Sequence, residues 1–353
     1  MADVPELLDK LLRTPSPSGY EAPAAQVWRD AASFAELETD RIGSSIARVP
    51  GAGDGDGPLV AIVGHIDEIG LTITHVDEKG YAWFLPIGGW DAQILVGQRV
   101  EVQSRDGLVA GVIGRKPVHL LKDEQKKMAV ELTGLHIDIG AADRDEALEL
   151  LRIGDPVVIR AEPMRLAGGR LVSRSLDNRL GSYVALEVAR RCHERGGLTA
   201  DVAGVAAVQE EIGLHGGGTS AYLLQPDLAI AVDVTHATDV PGVEEKESGS
   251  HPLGSGPVIG RGSTLAPKAY ELLAEAAESA GIEYTVEASG RWTGTDADAY
   301  QISRAGIPTG LVSIPLRYMH SPVETVDLGD VEAAVELLVA LASSLDGELD
   351  LSR

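Results

Sequence analysis

Val208-Gln209-Glu210-Glu211-Ile212-Gly213 places two adjacent carboxylates directly after the apolar run at residues 202–207. That run is short and lacks helical periodicity, which predicts a buried strand. Burying an unpaired carboxylate is costly, so two anions at the end of such a strand need a partner. Neighbouring side chains of a strand point to opposite faces. One carboxylate could therefore bind a metal ion while the other transfers protons.

Three further apolar runs also end in polar side chains. The runs and their following residues are 59–64 before His65, Asp67 and Glu68, then 228–232 before Asp233, and 309–315 before His320 and Glu324. In open α/β sheets, sites form beyond the carboxyl ends of the strands. Imidazole and carboxylate groups at four such ends predict a divalent metal site.

Charge and length restrict the classes of protein to consider. The chain has 353 residues and a formal net charge of −24, from 30 basic and 54 acidic residues. This length can bury a large core and predicts two domains. Nucleic-acid binding needs a basic surface, and anionic membranes attract basic segments, so neither partner is expected.

The sequence indicates a cytoplasmic protein. Residues 1–6 lack the basic and apolar regions of a signal peptide. No apolar stretch approaches the roughly 18 residues of a transmembrane helix. The single cysteine, Cys192, cannot form a disulfide within the chain, and its helical surroundings predict a small core residue.

Helical and strand patterns alternate from Leu176 onward. Helices are predicted at residues 180–195, 213–224, 266–280, 297–305 and 331–345, and strands at 202–208, 228–234, 284–288 and 309–315. This alternation predicts an α/β fold with a mostly parallel sheet and helices on both faces.

Residues 70–165 have a different character. Alternating patterns around Asp77-Glu78-Lys79-Gly80 predict a hairpin, and further short strands are predicted at 100–104, 108–114 and 157–161. We therefore predict two domains. Residues 1–67 and 165–353 form the α/β domain, and residues 68–164 form a small β-rich domain inserted into it.

Each candidate site residue could also have an ordinary structural role. His65 and Asp67 form an alternate pair, and metal-bound histidines commonly donate their other N–H to a carboxylate, but the pair could be a polar strand end. The corresponding structural roles are a helix N-cap for Asp177, a turn or cap for Asp233, a solvated loop for His320, and a helix start for Asp296 and Asp298.

Taken in order along the chain, these residues resemble the co-catalytic metallopeptidases of the M42 family, which have the di-zinc exopeptidase type of fold. The family includes glutamyl, deblocking and TET-type aminopeptidases. The resemblance covers nearly the whole chain. The segments that carry it are 64–70 (GHIDEIG), 87–90 (IGGW), 111–114 (GVIG), 117–121 (PVHLL), 135–140 (LHIDIG), 177–178 (DN), 208–213 (VQEEIG), 294–297 (GTDA) and 320–324 (HSPVE).

The resemblance implies a site for two divalent ions, Zn²⁺ or Co²⁺, with Mn²⁺ as a further possibility. His65 and Asp233 would bind one ion. Glu211 and His320 would bind the other. Asp177 would bridge the two.

The resemblance also implies a reaction and two catalytic roles. Glu210 would be the general base, and Asp67 would orient His65. The expected reaction removes amino-terminal residues from short peptides, with Glu210 activating a water that bridges the metal ions. If the enzyme preferred acidic first residues, Arg261 and Arg291 would be the candidates for a basic pocket.

Assembly is expected from the resemblance alone. Residues 68–164 would form a PDZ- or PA-like dimerisation domain, and the dimers would assemble into a tetrahedral dodecamer. Two alternatives remain open, a di-metal N-acyl amino acid deacylase and a non-catalytic self-assembling particle. Glycoside cleavage needs two carboxylates without a bridging metal. It would give Asp177 and the histidines no role, so this reaction is not expected.

Overall fold

A mixed sheet of eight strands forms the centre of the fold in the described part of the chain, which is residues 4–52, 57–347 and 349–351 of a computed structural model. In order across the sheet, the strands are β1 (Glu36–Thr39), β2 (Ser45–Val49), β12 (Asp201–Ala207), β3 (Leu59–His65), β13 (Leu228–His236), β16 (Thr309–Leu316), β14 (Val258–Gly262) and β15 (Thr285–Ser289). The four central strands β12, β3, β13 and β16 are parallel, so their carboxyl ends meet at one edge. β1, β2 and β14 introduce the antiparallel pairs.

Helices cover both faces of this sheet, as predicted. They are α1 (Glu6–Arg13), α2 (Ala22–Ala31), α6 (Leu176–Arg195), α7 (His215–Leu224), α8 (Glu245–Ser248), α9 (Pro267–Ala280), α10 (Asp296–Gln301) and α11 (Leu328–Ser344). Alternate residues of β3 separate the two apolar layers, because successive side chains of a strand point to opposite faces. Ile62 packs in the layer that contains α6, α9 and α11, whereas Val63 packs in the layer that contains α7 and α10.

Two glycines let α6 approach the sheet closely. A Cβ atom on Gly64 would overlap the carbonyl carbon of Gly181, and one on Gly181 would overlap the carbonyl oxygen of Val232. A larger residue at either position would push α6 away from β3 and β13. Because Asp177 lies at the start of α6, this close contact places it over the carboxyl ends of the central strands.

A closed antiparallel barrel with its own apolar core lies between β3 and α6 in the chain. In order around the barrel, the strands are β4 (Gly70–Val76), β5 (Ala82–Ile87), β8 (Leu135–Asp138), β7 (Gly107–Arg115), β6 (Arg99–Ser104) and β9 (Pro156–Ile159). Short helices α3 (Ala92–Leu95), α4 (Asp123–Lys126) and α5 (Arg144–Leu150) belong to the same segment. The predicted inserted β-rich unit is therefore present, while the division at residues 68 and 164 stays a prediction.

A small antiparallel sheet joins the end of this segment to the carboxyl-terminal part of the chain. Its strands are β10 (Met164–Arg165), β11 (Arg170–Ser173) and β17 (Glu324–Asp327). β17 begins at Glu324 and pairs with β11, which leads into α6. The loop that carries His320 is thus held beside the first turn of α6.

One predicted helix is shorter than expected. α10 ends at Gln301, whereas the pattern predicted a helix to residue 305. Arg304 and Gly306 have φ angles of 55° and 101°, so the backbone turns before the predicted end. In the part of the chain that the structure describes, none of the helices combines the length and apolarity needed to cross a bilayer.

A buried ion cluster connects the amino-terminal segment, the start of the barrel and α6. Glu68 accepts hydrogen bonds from the Ser16 backbone N–H at 2.9 Å and from Arg179 Nη2 at 3.2 Å. Arg174 pairs with the other oxygen of Glu68. Arg179 is fully buried and also donates to the backbone carbonyl of Leu11 at 2.8 Å. Both guanidinium groups therefore depend on one carboxylate.

We predict that Glu68→Gln lowers the free energy of unfolding by about 3 kcal/mol, because it leaves buried guanidinium charge uncompensated. Urea unfolding of the purified protein measures this change. Glu271→Gln is the matched control, since Glu271 pairs with Lys268 on the exposed surface of α9. Equal unfolding midpoints for the two variants would show that the cluster does not support the fold.

Candidate active site

The five predicted metal ligands converge at the carboxyl edge of the central sheet. His65 ends β3, Asp233 lies in β13, and Asp177 lies in the first turn of α6. Glu211 follows β12, and His320 lies between β16 and β17. Each predicted ligand therefore lies in a different element of the chain. The parallel strands bring these elements together at one edge of the sheet.

Asp177 lies between two histidines. His65 Nε2 is 3.2 Å from Asp177 Oδ1, and His320 Nε2 is 3.4 Å from Asp177 Oδ2. His320 Nε2 is also 3.3 Å from Glu211 Oε1. Asp177 is not the N-cap of α6, because Ser175 occupies that position and the Asp177 carboxylate faces the imidazoles.

Ligand atoms from these residues form two overlapping groups, each within 4.8 Å. One group is His65, Asp177 and Asp233, and the other is Asp177, Glu211 and His320. A third group, His65, Glu210 and Glu211, overlaps both. The first two groups share Asp177, which is the arrangement that a bridging carboxylate requires.

The electrostatics of the site favour bound cations. Burial, together with the charges of Asp233, Asp296 and Glu211, raises the pKa of Glu210 to about 10. Burial also raises the pKa of Glu211 and raises that of Asp233 well above its usual range. Apart from its contact with the His320 imidazole, the buried Glu211 Oε1 has no hydrogen-bond partner among the described residues. Nitrogen and oxygen donors around an excess of carboxylates fit borderline divalent ions.

Neighbouring carboxylates raise the pKa of both histidines, and Asp177 acts on each of them. The carboxylates of Asp177 and Glu211 raise the pKa of His320 to about 11. Burial alone would lower the pKa of His65, but Glu210, Asp177 and Asp67 together raise it well above its usual value. A metal ion bound by these imidazoles would therefore compete with a proton on each of them.

We predict that adding Zn²⁺ to the chelated protein at neutral pH releases protons. The apparent affinity should increase about tenfold per pH unit for each proton displaced, because His320 and His65 must lose theirs before they bind metal. Calorimetric titration in buffers of different ionisation enthalpy measures the release. His320→Ala should release fewer protons, because it lacks one of the two imidazoles and binds less Zn²⁺. An affinity independent of pH between about pH 6 and pH 8 would contradict the prediction.

Asp67 connects His65 to the loop that carries the two glutamates. Its fully buried carboxylate accepts a hydrogen bond from the Ser18 hydroxyl at 2.6 Å. It also accepts from the backbone N–H groups of Glu210 and Glu211, at 3.1 Å and 3.3 Å. His65 Nδ1 lies 3.4 Å from Asp67 Oδ1. Besides contacting His65, Asp67 thus fixes the backbone of the glutamate pair.

Left-handed backbone conformations occur next to the glutamates and at one histidine. Gln209 has a φ angle of 58° and His320 one of 59°, values that residues other than glycine rarely adopt. The buried carboxylate of Glu21 stabilises the turn at Gln209 by accepting a hydrogen bond from its backbone N–H at 3.0 Å. Burial and the neighbouring Asp67 raise the pKa of Glu21 to about 7. Strained backbone of this kind is common where a site is held by its surroundings.

Glu324 supports two predicted ligands at once, a role that the sequence did not reveal. Its Oε2 accepts the backbone N–H of Asp177 at 3.1 Å, and its Oε1 accepts that of His320 at 3.0 Å. The Glu324 side chain is almost completely buried. One carboxylate therefore fixes the distance between the first turn of α6 and the histidine loop.

We predict that Glu324→Gln lowers metal affinity about 10- to 100-fold while the protein still folds. Glutamine offers only one acceptor oxygen, so either Asp177 or His320 loses its backbone anchor. Competition with a metal chelator measures the affinity, and circular dichroism measures folding. The control is Glu332→Gln, which alters a surface ion pair with Arg191. Unchanged affinity in Glu324→Gln would remove Glu324 from the site.

Two aspartates near the site differ from each other. Asp298 accepts the backbone N–H groups of Thr293 and Gly294, both at 2.8 Å, which agrees with the structural role expected at a helix start. Asp296 is fully buried, and neither carboxylate oxygen has a hydrogen-bond partner within the described ranges. Burial raises the pKa of Asp296 to about 7. Its carboxylate therefore adds to the negative charge behind Glu210.

A cavity of about 510 Å³ opens beside the predicted ligands. Its lining includes His65, Asp177, Glu210 and Asp233, together with residues 287–295. Its size is in the range of small-molecule sites in proteins. The two arginines considered for a basic pocket differ, since Arg291 lines the cavity and Arg261 lies over the ring of Tyr270, 5.1 Å from its centre.

Comparison with known proteins identifies the family. A family model described as M42 glutamyl aminopeptidase matches residues 43–337. The lysyl aminopeptidase of Pyrococcus furiosus is 35% identical over 347 residues, which cover 96% of this chain and 97% of that protein.

Solved structures of similar proteins agree with the family match. A TET aminopeptidase from the archaeon Thaumarchaeota archaeon SCGC AB-539-E09 has a TM-score of 0.91 at 34% identity, covering 97% of this chain and 96% of that one. The TET1 peptidase of Pyrococcus horikoshii, which can assemble into a tetrahedron or a large octahedral shell, has a TM-score of 0.85 at 34% identity, covering 96% and 99%. The chain therefore belongs to the M42 family of metal-dependent aminopeptidases.

Proposed function

We propose that this aminopeptidase removes amino-terminal residues from short peptides at a site for two divalent ions. His65 and Asp233 would hold one ion, Glu211 and His320 would hold the other, and Asp177 would be shared between them. The observation that supports this assignment best is the position of Asp177, whose two oxygens face different histidines at 3.2 Å and 3.4 Å. The ligand types suit Zn²⁺, Co²⁺ and Mn²⁺, and we favour the first two.

Glu210 is the proposed general base. Its side chain lines the cavity, and its Oε2 lies 3.7 Å from His65 Nε2. When bound, the two ions lower the pKa of a water molecule and polarise the scissile carbonyl. The same positive charge favours the ionised form of Glu210, which otherwise has a pKa of about 10. Glu210 then accepts the proton of the water and returns it to the leaving amine.

Recognition of the free amino terminus explains the restriction to the first peptide bond. The substrate ammonium group carries a positive charge, and the carboxylates of Glu210, Glu211 and Asp233 are among the groups that line the cavity. A carboxylate there pairs with the ammonium group, whereas an internal peptide bond offers no such charge. Acetylating the amine removes the charge, so an acetylated peptide is the substrate control that separates this proposal from a deacylase.

We propose further that the chain is a cytoplasmic homo-oligomer, built from dimers into a tetrahedral dodecamer. Large apolar side chains are exposed on the barrel, among them Leu85 at 58%, Leu108 at 55% and Val112 at 46%. Such side chains are typical of surfaces that contact other proteins. The assembly of the similar Pyrococcus horikoshii peptidase supports the proposal. The single cysteine, Cys192, is free and buried, as is common for proteins of the reducing cytoplasm.

We predict that Glu210→Gln retains its metal yet loses about 10²- to 10⁴-fold in kcat, because it removes only the proton acceptor. Asp177→Asn and His320→Ala should lose metal as well as activity. Hydrolysis of aminoacyl-anilides and metal analysis after dialysis measure the two properties. A near-normal rate for Glu210→Gln, with the metal content unchanged, would refute the assignment of the base.

A further inference from the structure

We propose that the cavity selects peptides whose first residue is basic, lysine or arginine, and that Glu287 is the residue that selects them. This inference rests on the aminopeptidase function proposed above and specifies its substrate class. Glu287 lies in β15 and lines the same cavity as Asp233 of β13. Among the described residues that line this cavity, it is the carboxylate that is neither a predicted metal ligand nor the proposed base.

Strand geometry fixes which side chains face the cavity. Thr235 lies two residues beyond Asp233 in β13, so both point to the same face of the sheet. Glu287 and Ser289 are related in the same way in β15, and all four line the cavity. A substrate with its first carbonyl at the predicted ligands would therefore extend its first side chain toward Glu287.

Glu287 is held in place for this contact. Its Oε1 accepts a hydrogen bond from the hydroxyl of Thr235 at 3.0 Å, and Thr235 is buried. No cation pairs with Glu287 within the ranges that the structure describes. The other oxygen is consequently available to a substrate cation, and half-burial strengthens such a pairing relative to the open surface.

Basic side chains near the cavity do not neutralise Glu287. Arg261 is not among the residues that line the cavity, and its guanidinium group lies over the ring of Tyr270, 5.1 Å from the ring centre. Arg291 is exposed and lies 5.9 Å from the ring centre of Trp292, which is itself 74% exposed. Glu287 is therefore half-buried in the cavity lining, whereas Arg291, which also lines the cavity, is exposed to solvent.

The two proposed metal ions would neutralise the other carboxylates of the cavity. Glu287 would then be the carboxylate available to a substrate side chain. Two divalent ions match the four carboxylates Asp177, Glu210, Glu211 and Asp233 in formal charge. Glu287 is then the remaining carboxylate among the described residues that line the cavity. A lysine or arginine side chain supplies the compensating positive charge. A norleucine side chain of similar length supplies none, and a glutamate side chain is repelled.

The test compares anilides of lysine, arginine, norleucine and glutamate. The wild-type enzyme should show the highest kcat/KM for lysine and arginine. Glu287→Gln should lower the ratio of kcat/KM for lysine over norleucine about 10- to 100-fold, the range for one hydrogen bond between charged groups. Thr235→Val, which removes the hydrogen bond to Glu287, should lower the ratio less. Glu283→Gln changes a carboxylate just before β15, outside the cavity lining, and should leave the ratio unchanged.

A binding measurement gives a second readout. Calorimetric titration with free L-lysine and L-norleucine should show tighter lysine binding in the wild type and a reduced difference in Glu287→Gln. A preference for glutamate, no preference, or an equal loss on lysine and norleucine in Glu287→Gln would overturn the inference. If no anilide is hydrolysed with any metal, the proposed reaction fails, and the calorimetric comparison still decides whether Glu287 recognises a basic side chain.

Discussion

The arrangement of the site depends on one electrostatic constraint, which is that several buried carboxylates cannot all carry charge side by side without cations. Glu210, Glu211, Asp233 and Asp296 all have raised pKa values, and burial is the largest cause in each case. Two imidazoles share this space and hold their protons more tightly than usual. Divalent ions would neutralise the carboxylates and replace those protons, so the proposed metal binding would also complete the site.

The surrounding fold resists the repulsion by anchoring the backbone rather than the side chains. Asp67 accepts the N–H groups of Glu210 and Glu211, and Glu324 accepts those of Asp177 and His320. These carboxylates therefore position the ligands without using the ligands' own oxygens. The close contact of α6 with β3, which two glycines permit, places the Asp177 segment above the strand ends. The side-chain atoms of the proposed metal ligands are thus not used by these contacts, which fix only the main chain.

Local sequence pattern predicted the features that depend on local physics. Apolar runs followed by His65 and Glu210 indicated strand ends, and parallel strands bring such ends together, whereas β13 continues past Asp233 to His236. The helix after Thr295 was predicted too long because its end depends on the left-handed turn at Arg304. Glu324 and Glu287 could not be assigned, since each role depends on a contact with a residue more than 50 positions away, Asp177 for Glu324 and Thr235 for Glu287. A single glutamate after an apolar run carries no signal of what it will contact.

The crystal structure of the enzyme loaded with Zn²⁺, recorded with anomalous scattering at the zinc edge, tests the central claim most directly. The account predicts two zinc peaks in each subunit, with one oxygen of Asp177 on each ion, His65 and Asp233 on the first, and Glu211 and His320 on the second. A single peak, or two peaks that Asp177 does not bridge, would contradict it.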